Sequence, residues 1–265
     1  MFQNKIIKIK GGLGNQFFQY AHGRKLELID KKNIIFDTSF FVTKSRDIER
    51  PFLLNKFNIN ATSTFKVTPQ NLYTKIYEKI LIRLVQDYSF YQNEKYFKEI
   101  QETIYKELSL KEQFSGTAQE MENRIRECTS SVSVHIRRGD YISSPTASHY
   151  HGTYCDLDYY AHAMQHLESI VENPTYFIFS DDIEWVKQNM KVDTAVYVSR
   201  PEIADYEELV LMSLCSHNII ANSSFSWWAG YLNRNPEKIV IGPKQWTNHK
   251  TSDQLGILPK SWIQI

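Results

Sequence analysis

Short β-branched and aromatic runs alternate with segments of helical periodicity along most of this chain, and that alternation limits the fold more than any other feature. The strand-like runs are Lys5–Lys10, Asn33–Asp37, Val132–Ile136, Thr175–Ser180, Ala195–Ser199, Asn218–Asn222 and Lys238–Ile241. Apolar residues recur at helical spacing in Gln16–Ile29, Leu157–Val171, Ile183–Met190 and Tyr206–Ser216. Strand followed by helix, repeated, predicts parallel sheets covered by helices. Between the two series, residues 38–71 read as irregular and Leu72–Glu107 as helical and rich in lysine and tyrosine. The expectation is an α/β protein of two lobes, residues 1–120 and 121–265, with a ligand cleft between them.

A chain of 265 residues can bury a large core, and 42% hydrophobic content with a net charge of +1 describes a globular protein. Near-neutrality argues against a dedicated nucleic-acid binder, which carries a basic excess. The three cysteines, Cys128, Cys155 and Cys215, are too scattered for a disulfide framework or a zinc cluster, and an odd count suits a reducing compartment. MFQNKIIKIKGG has too short an apolar segment for a secretory leader, and no apolar run approaches the ~20 residues of a membrane helix. A cytoplasmic protein is expected, and peripheral membrane association is compatible with this.

The run VSVHIRRGDYI, from Val132 to Ile142, delivers a histidine, two arginines and an aspartate to the end of an apolar strand. The planar fork of arginine suits phosphate oxygens, and open α/β sheets bind ligands beyond the carboxyl ends of their strands. An exposed basic turn with Asp140 paired to an arginine is the plainer alternative.

The strand KIIKIK runs into Gly11-Gly12-Leu13-Gly14-Asn15-Gln16, a tight turn at a helix start that suits an anion or a close backbone approach. It superficially resembles a dinucleotide fingerprint, with Asp37 where a ribose-binding acid would sit. Phe17 occupies the third glycine position, however, and its ring would hinder close helix–strand packing there. Asn15 and Gln16 would bring amide donors and acceptors to the cleft, although Asn15 can equally be the helix N-cap.

Two further strand ends carry polar clusters. Ser180-Asp181-Asp182 follows an apolar strand; an aspartate there can accept hydrogen bonds from a base or ribose, or cap the next helix. Asn222 leads into Ser223-Ser224-Phe225-Ser226-Trp227-Trp228, where hydroxyls and free helix N–H groups make a phosphate-sized anion site. The two tryptophans read better as packing than as ligand stacking. Asp156-Leu157-Asp158 spells an acidic pair found in metal-dependent sugar transferases, but it precedes a helix and capping explains it well. His149 and His151 lack zinc-site spacing and are acid–base or acceptor-binding candidates instead.

Taken together, these segments resemble the α-1,2-fucosyltransferases of glycosyltransferase family 11, of the compact bacterial type. The matching stretches are GGLGNQFFQYAHGRKL at 11–26, HIRRGDY at 135–141, HGTYCDLDYYAHA at 151–163, FIFSDD at 177–182 and NSSFSWWAGYLN at 222–233. They follow the family order and span nearly the whole chain. The resemblance implies a GT-B-like fold of two Rossmann-type lobes, with an N-terminal acceptor-side lobe and a C-terminal donor lobe. It further implies GDP-fucose as donor, a β-galactoside-terminated glycan as acceptor, and inversion at the anomeric carbon with neither an essential metal nor a cofactor. Arg137 and Arg138 then match the arginines associated with the pyrophosphate, and His135 with an acid of Asp181-Asp182 falls where guanine is recognised. Ser223, Ser224, Phe225 and Ser226 lie in the phosphate-side loop. Gly12, Gly14 and Asn15 fall in the turn that faces the sugar and acceptor.

The general base is the weakest match. More distant α-1,6-fucosyltransferases use a glutamate shortly after their arginine pair, whereas this chain reads Asp140-Tyr141-Ile142-Ser143-Ser144-Pro145. His151 ranks first and Asp140 second as the group that accepts the acceptor's proton. Rival readings are a nucleotide-sugar-binding protein that has lost turnover, a fucosyltransferase of different linkage, and a nicotinamide oxidoreductase resting on the glycine turn alone.

Overall fold

The computed structural model describes residues 5–42, 50–60, 64–67, 90–139 and 154–265. The chain divides into two compact units, Met1–Lys111 and Glu112–Ile265.

In the first unit β1 (Lys5–Lys8), β2 (Ile34–Asp37) and β3 (Thr64–Lys66) form a parallel sheet in that order. The third strand falls in the segment expected to be irregular; at three residues it is too short to show alternation. Helix α1 (Leu13–Leu28) starts at the glycine turn. Gly11 has φ +81°, a left-handed conformation that disfavours a side chain. Gly12, in extended conformation, is the N-cap, so Asn15 is already inside the helix and the capping alternative for it falls away. Nearly every side chain of α1 is buried, including Phe17, Phe18 and Tyr20 at 0% exposure. The close helix–strand approach that Phe17 forbids is made instead at Gly23, where a Cβ would lie 2.3 Å from Cε1 of Phe36 on β2. Gln16 is wholly buried. Its amide donates to the carbonyls of Gly11 (3.0 Å) and Pro51 (2.9 Å) and accepts from the Leu53 N–H (3.0 Å). It therefore stitches two loops together and offers nothing to a ligand, contrary to expectation.

Residues 68–89, which hold the first half of the expected helical middle, lie outside the described residues. Beyond them come two 3-10 turns, Glu94–Tyr96 and Lys98–Ile100, and then α2 (Gln101–Glu107). Glu107 closes a buried polar knot: Arg24 reaches both its carboxylate oxygens (2.9 and 2.7 Å), and the Tyr20 hydroxyl donates to it at 2.7 Å.

The second unit begins with α3 (Gly116–Glu127), which the periodicity of the sequence did not single out. Then follow β4 (Ser131–Ile136), α4 (Leu157–Glu168), β5 (Thr175–Ser180), α5 (Ile183–Asn189), β6 (Ala195–Tyr197), α6 (Asp205–Leu214) and β7 (His217–Ile219). After these come α7 (Ser224–Leu232), β8 (Val240–Gly242), the short hairpin β9 (Gln245–Thr247) and β10 (Lys250–Thr251), α8 (Ser252–Leu255), and β11 (Ile263–Gln264). The main sheet is wholly parallel with strand order β11-β8-β7-β4-β5-β6. Both faces are covered, so β4 is buried at all six residues although its sequence SVSVHI alternates polar and apolar side chains. Val132, Val134, Ile178 and Ile219 pack with Tyr160, Ala163 and Leu167 of α4 on one side. The alternate β5 residues Phe177 and Phe179 pack with Met121 and Ile125 of α3 and Leu211 and Met212 of α6 on the other. The period of two along β5 thus separates the two layers.

Candidate active site

The strand order gives the second unit its site. From β4 the chain moves outward through β5 to β6, then returns across the sheet to place β7 on the other side of β4. At such a reversal the connections leave in opposite directions and open a crevice beyond the carboxyl ends. The segments at those ends are His135–Gly139 after β4, Ser180–Asp182 after β5 and Asn222–Ser226 after β7. All three polar clusters read from the sequence are therefore strand-end segments of a single sheet.

Side-chain geometry joins the first two. Arg137 Nη1 lies 2.9 Å from Asp181 Oδ2. The Arg138 N–H donates to Asp181 Oδ1 at 2.9 Å, and its Nε donates to Asp182 Oδ2 at 3.1 Å. The Arg138 guanidinium also stacks on Trp185, 3.3 Å from the ring centroid, an anchor no sequence argument suggested. Asp182 caps α5 through the Trp185 N–H at 3.3 Å while holding Arg138, so it serves in both ways at once. Gly139 packs against this pair: a Cβ there would lie 2.5 Å from Asp181 Oδ2, the oxygen that receives Arg137, so a larger residue would push Asp181 aside.

His135 joins the third segment, its ring 5.5 Å from that of Phe225. It is 4% exposed, and its Nδ1 finds no hydrogen-bond partner among the described residues. Burial, reinforced by the Arg137 charge, pushes its pKa down to about 4, so the imidazole is neutral at physiological pH. Ser223 is the N-cap of α7 and accepts from the Phe225 N–H at 3.3 Å. The buried Ser226 hydroxyl donates to the Ser223 carbonyl at 3.4 Å, a bond internal to the helix start. Ser224 and Phe225 are partly buried. Trp227 and Trp228 are fully buried, as packing residues should be.

The other expectations sort as follows. Asp156 caps α4 through the Tyr159 N–H at 2.9 Å, which favours the capping reading of the acidic pair. Among the described residues no group of three or more His, Cys, Asp or Glu side chains stands ready to hold a metal ion. Burial pushes the Cys155 thiol up to about 12, leaving it inert. In the first unit Asn15 is half-buried and accepts from Gln92 at 2.7 Å. Gly14 is buried, and a Cβ on Gly12 would meet nothing within 4 Å among the described residues. Asp140, His149 and His151 lie outside the described residues.

Two glutamates of α6 escaped notice in the sequence because acids in a first helical turn normally face solvent. Glu207 is buried and accepts from the N–H groups of Ser115 (2.6 Å) and Ala204 (3.0 Å), tying the starts of α3 and α6 together. Burial, aided by Asp205 and Asp181, pushes the Glu208 carboxyl up to about 8. Among the described residues no helix is long and apolar enough to cross a membrane.

A parallel α/β sheet with an arginine-bearing crevice at its switch point fits the GT-B class of glycosyltransferases. The crystal structure of NodZ α-1,6-fucosyltransferase soaked with GDP-fucose shares this fold at a TM-score of 0.55 and 12% identity, covering 88% of this chain and 93% of that one. The pattern defining Glycosyl transferase family 11 matches residues 2–265, and the chain belongs to that family. The α-1,2-colitosyltransferase of Escherichia coli is 33% identical over 98% of both chains. O-antigen biosynthesis glycosyltransferase WbnK, also of Escherichia coli, is 29% identical over 97% of this chain and 99% of its own. Human galactoside α-(1,2)-fucosyltransferase 1 is 27% identical over 52% of this chain and 40% of its own length. The protein is thus a glycosyltransferase.

Proposed function

We propose that this enzyme transfers L-fucose from GDP-fucose to the 2-hydroxyl of a terminal β-galactoside, with inversion, as a step in surface-glycan synthesis. The observation that carries the reading is the arginine pair at the β4 carboxyl end beside a buried, neutral, incompletely bonded His135. Residues 121–265 act as the donor lobe and 1–120 as the acceptor lobe. Arg137 and Arg138 bind the pyrophosphate, His135 and Asp181 or Asp182 the guanine, and Ser223, Ser224, Phe225 and Ser226 the phosphate side. Gly12, Gly14 and Asn15 face the sugar and acceptor; the open space over Gly12 supports this, since no packing among the described residues demands a glycine there.

The acceptor oxygen attacks fucose C1 as the bond from C1 to the β-phosphate oxygen breaks, through an oxocarbenium-like state. Negative charge grows on the departing phosphate, where a fixed guanidinium stabilises the transition state more than the ground state. That charge stabilisation is what a metal would otherwise supply, so no cofactor is invoked. The acceptor proton passes to His151 or, second in rank, Asp140. The enzyme works in the cytoplasm and meets a lipid-linked acceptor at the inner face of the membrane.

The test is incubation with GDP-fucose and a set of β-galactosides, with the product linkage assigned by NMR and a parallel reaction in excess EDTA. A new α-1,2 linkage formed at full rate in EDTA is expected. Another linkage, or a strict need for Mn²⁺ or Mg²⁺, refutes the assignment. The colitosyltransferase relative favours a second reading, in which the donor sugar is colitose, which lacks the 3-hydroxyl of fucose. Competition between GDP-fucose and GDP-colitose in the same assay decides between them.

A further inference from the structure

Phe90, Tyr91 and Gln92, all half-buried, run along α1 from the glycine turn to His22. Phe90 Cε1 lies 3.5 Å from where a Cβ on Gly11 would stand, and Lys10 Nζ lies 4.9 Å from the centroid of its ring. The Tyr91 ring stacks on His22, their centroids 4.0 Å apart. Gln92 Nε2 donates to Asn15 Oδ1 at 2.7 Å. An amide carries two donor hydrogens and an acceptor oxygen, so this bond leaves the Asn15 Nδ2 donors and the Gln92 Oε1 acceptor unmatched among the described residues. Tyr91 has φ +56°, a left-handed conformation that a bulky residue adopts only under constraint and that clusters at ligand sites. One turn along α1 from Asn15, the wholly buried Gln19 accepts from the Lys10 N–H at 2.7 Å, while its Nε2 finds no partner among the described residues. A strained tyrosine and a buried amide short of a bond, side by side on one helix face, mark a place where local stability is given up.

We infer that Gln92 and Phe90 set acceptor specificity: the Asn15–Gln92 amide pair takes two neighbouring hydroxyls of the terminal β-galactoside, and the Phe90 ring covers an apolar C–H face of the sugar. The inference rests on the reading of the first unit as the acceptor lobe. In a terminal β-galactoside C1 carries the glycosidic bond and the 2-hydroxyl is the nucleophile. The adjacent pair left for recognition is therefore the 3- and 4-hydroxyls. An amide donor beside an amide acceptor matches such a diol, since each hydroxyl both gives and accepts a hydrogen bond. The negative face of an aromatic ring draws polarised C–H groups as it draws the Lys10 ammonium. Gly12 leaves room beside the pair, since a Cβ there would meet nothing within 4 Å among the described residues.

The experiment is acceptor kinetics of the whole protein with methyl β-galactoside and its 3-deoxy and 4-deoxy analogues, at saturating GDP-fucose or GDP-colitose, whichever the enzyme uses. Gln92→Ala should raise acceptor KM about tenfold and leave kcat and donor KM within about twofold, because the contact is made alike in the ground and transition states. The wild type should lose about tenfold or more in kcat/KM on at least one deoxy analogue, and Q92A less than about threefold on the same analogue. A Q92A enzyme with normal acceptor KM, or with the wild-type preference for the hydroxyl intact, overturns this inference alone. So does a wild type indifferent to both analogues, or a donor KM that rises in step with the acceptor KM in Q92A, the sign of a purely structural tie. No transfer to any β-galactoside from either donor overturns the acceptor reading and this inference with it. Phe90 supplies a second test should Q92A misfold: Phe90→Ala should raise acceptor KM at least about fivefold, while Phe90→Tyr keeps the ring and should stay within about twofold of the wild type. Equal acceptor KM in F90A and F90Y overturns the stacking role.

Discussion

The Glu107 knot offers the sharpest quantitative test of the packing. Arg24 and Glu107 expose 3% and 10% of their side chains, so the guanidinium can reach little water once its partner is gone. Glu107→Met removes two charge-assisted bonds from Arg24 and the acceptor of the Tyr20 hydroxyl, which itself accepts from the Asn60 N–H at 3.1 Å. Breaking a buried pair from one side costs about 3–5 kcal/mol. Glu27 still contacts Arg24 from one turn along α1 and softens the loss, which puts the expectation at the lower end, about 3 kcal/mol. With a urea slope of about 2 kcal/mol/M, the unfolding midpoint followed by circular dichroism should fall by about 1.5 M. The double variant R24M/E107M leaves no orphaned charge and should return to within about 1 kcal/mol of the wild type. A midpoint shift under about 0.5 M for E107M, or a double variant as unstable as the two singles summed, refutes the reasoning.

At the site, Arg137→Ala should lower kcat/KM by at least about a hundredfold while circular dichroism stays unchanged, and Arg137→Lys should also be poor because a point charge lacks the fork. A purified R137A enzyme with near-normal turnover removes the pyrophosphate role. Gly139→Ala should displace Asp181, since the new Cβ would sit 2.5 Å from its Oδ2; donor KM should rise with the fold intact, and unaltered kinetics count against the contact. Glu208 also links stability to pH. Its carboxyl is raised to about 8, so the folded chain holds a proton that the unfolded chain releases above ~4.3, and stability falls as pH rises through that window. E208Q should therefore gain melting temperature relative to the wild type at pH 7 but not at pH 4, and a constant difference contradicts the shift.

The sequence exposed whatever was local. Thr175–Ser180 is a strand at the residues its pattern marks, and Ser223 and Asp182 cap helices where serine and aspartate follow apolar runs. Strand order was not legible, because the same alternation fits many permutations of a parallel sheet; only the return from β6 to β7 makes the three strand ends neighbours. Nor were Glu107 and Glu207 legible as structural carboxylates, because each has a partner far away in sequence: Arg24 meets Glu107, and Ser115 meets Glu207. Gln16 misled for the same reason, since its partners Pro51 and Leu53 belong to a loop with no pattern of its own.

Burial separates the two arginine–carboxylate sets of this molecule into different roles although their chemistry is alike. Arg24 and Glu107 are sealed, so neither partner can be exchanged without stranding a charge. Arg137 and Asp181 retain 21% and 26% of their exposure, and a pair of that kind contributes only about 0–1 kcal/mol. On the proposed donor reading, loosening it to admit a diphosphate would therefore cost little, while Asp181 would still fix where the guanidinium waits. The carboxylates that neutralise the arginine pair do not argue against an anion site. On that reading they would keep two adjacent cations in place before GDP arrives, and the modest worth of each pair would let the diphosphate displace them.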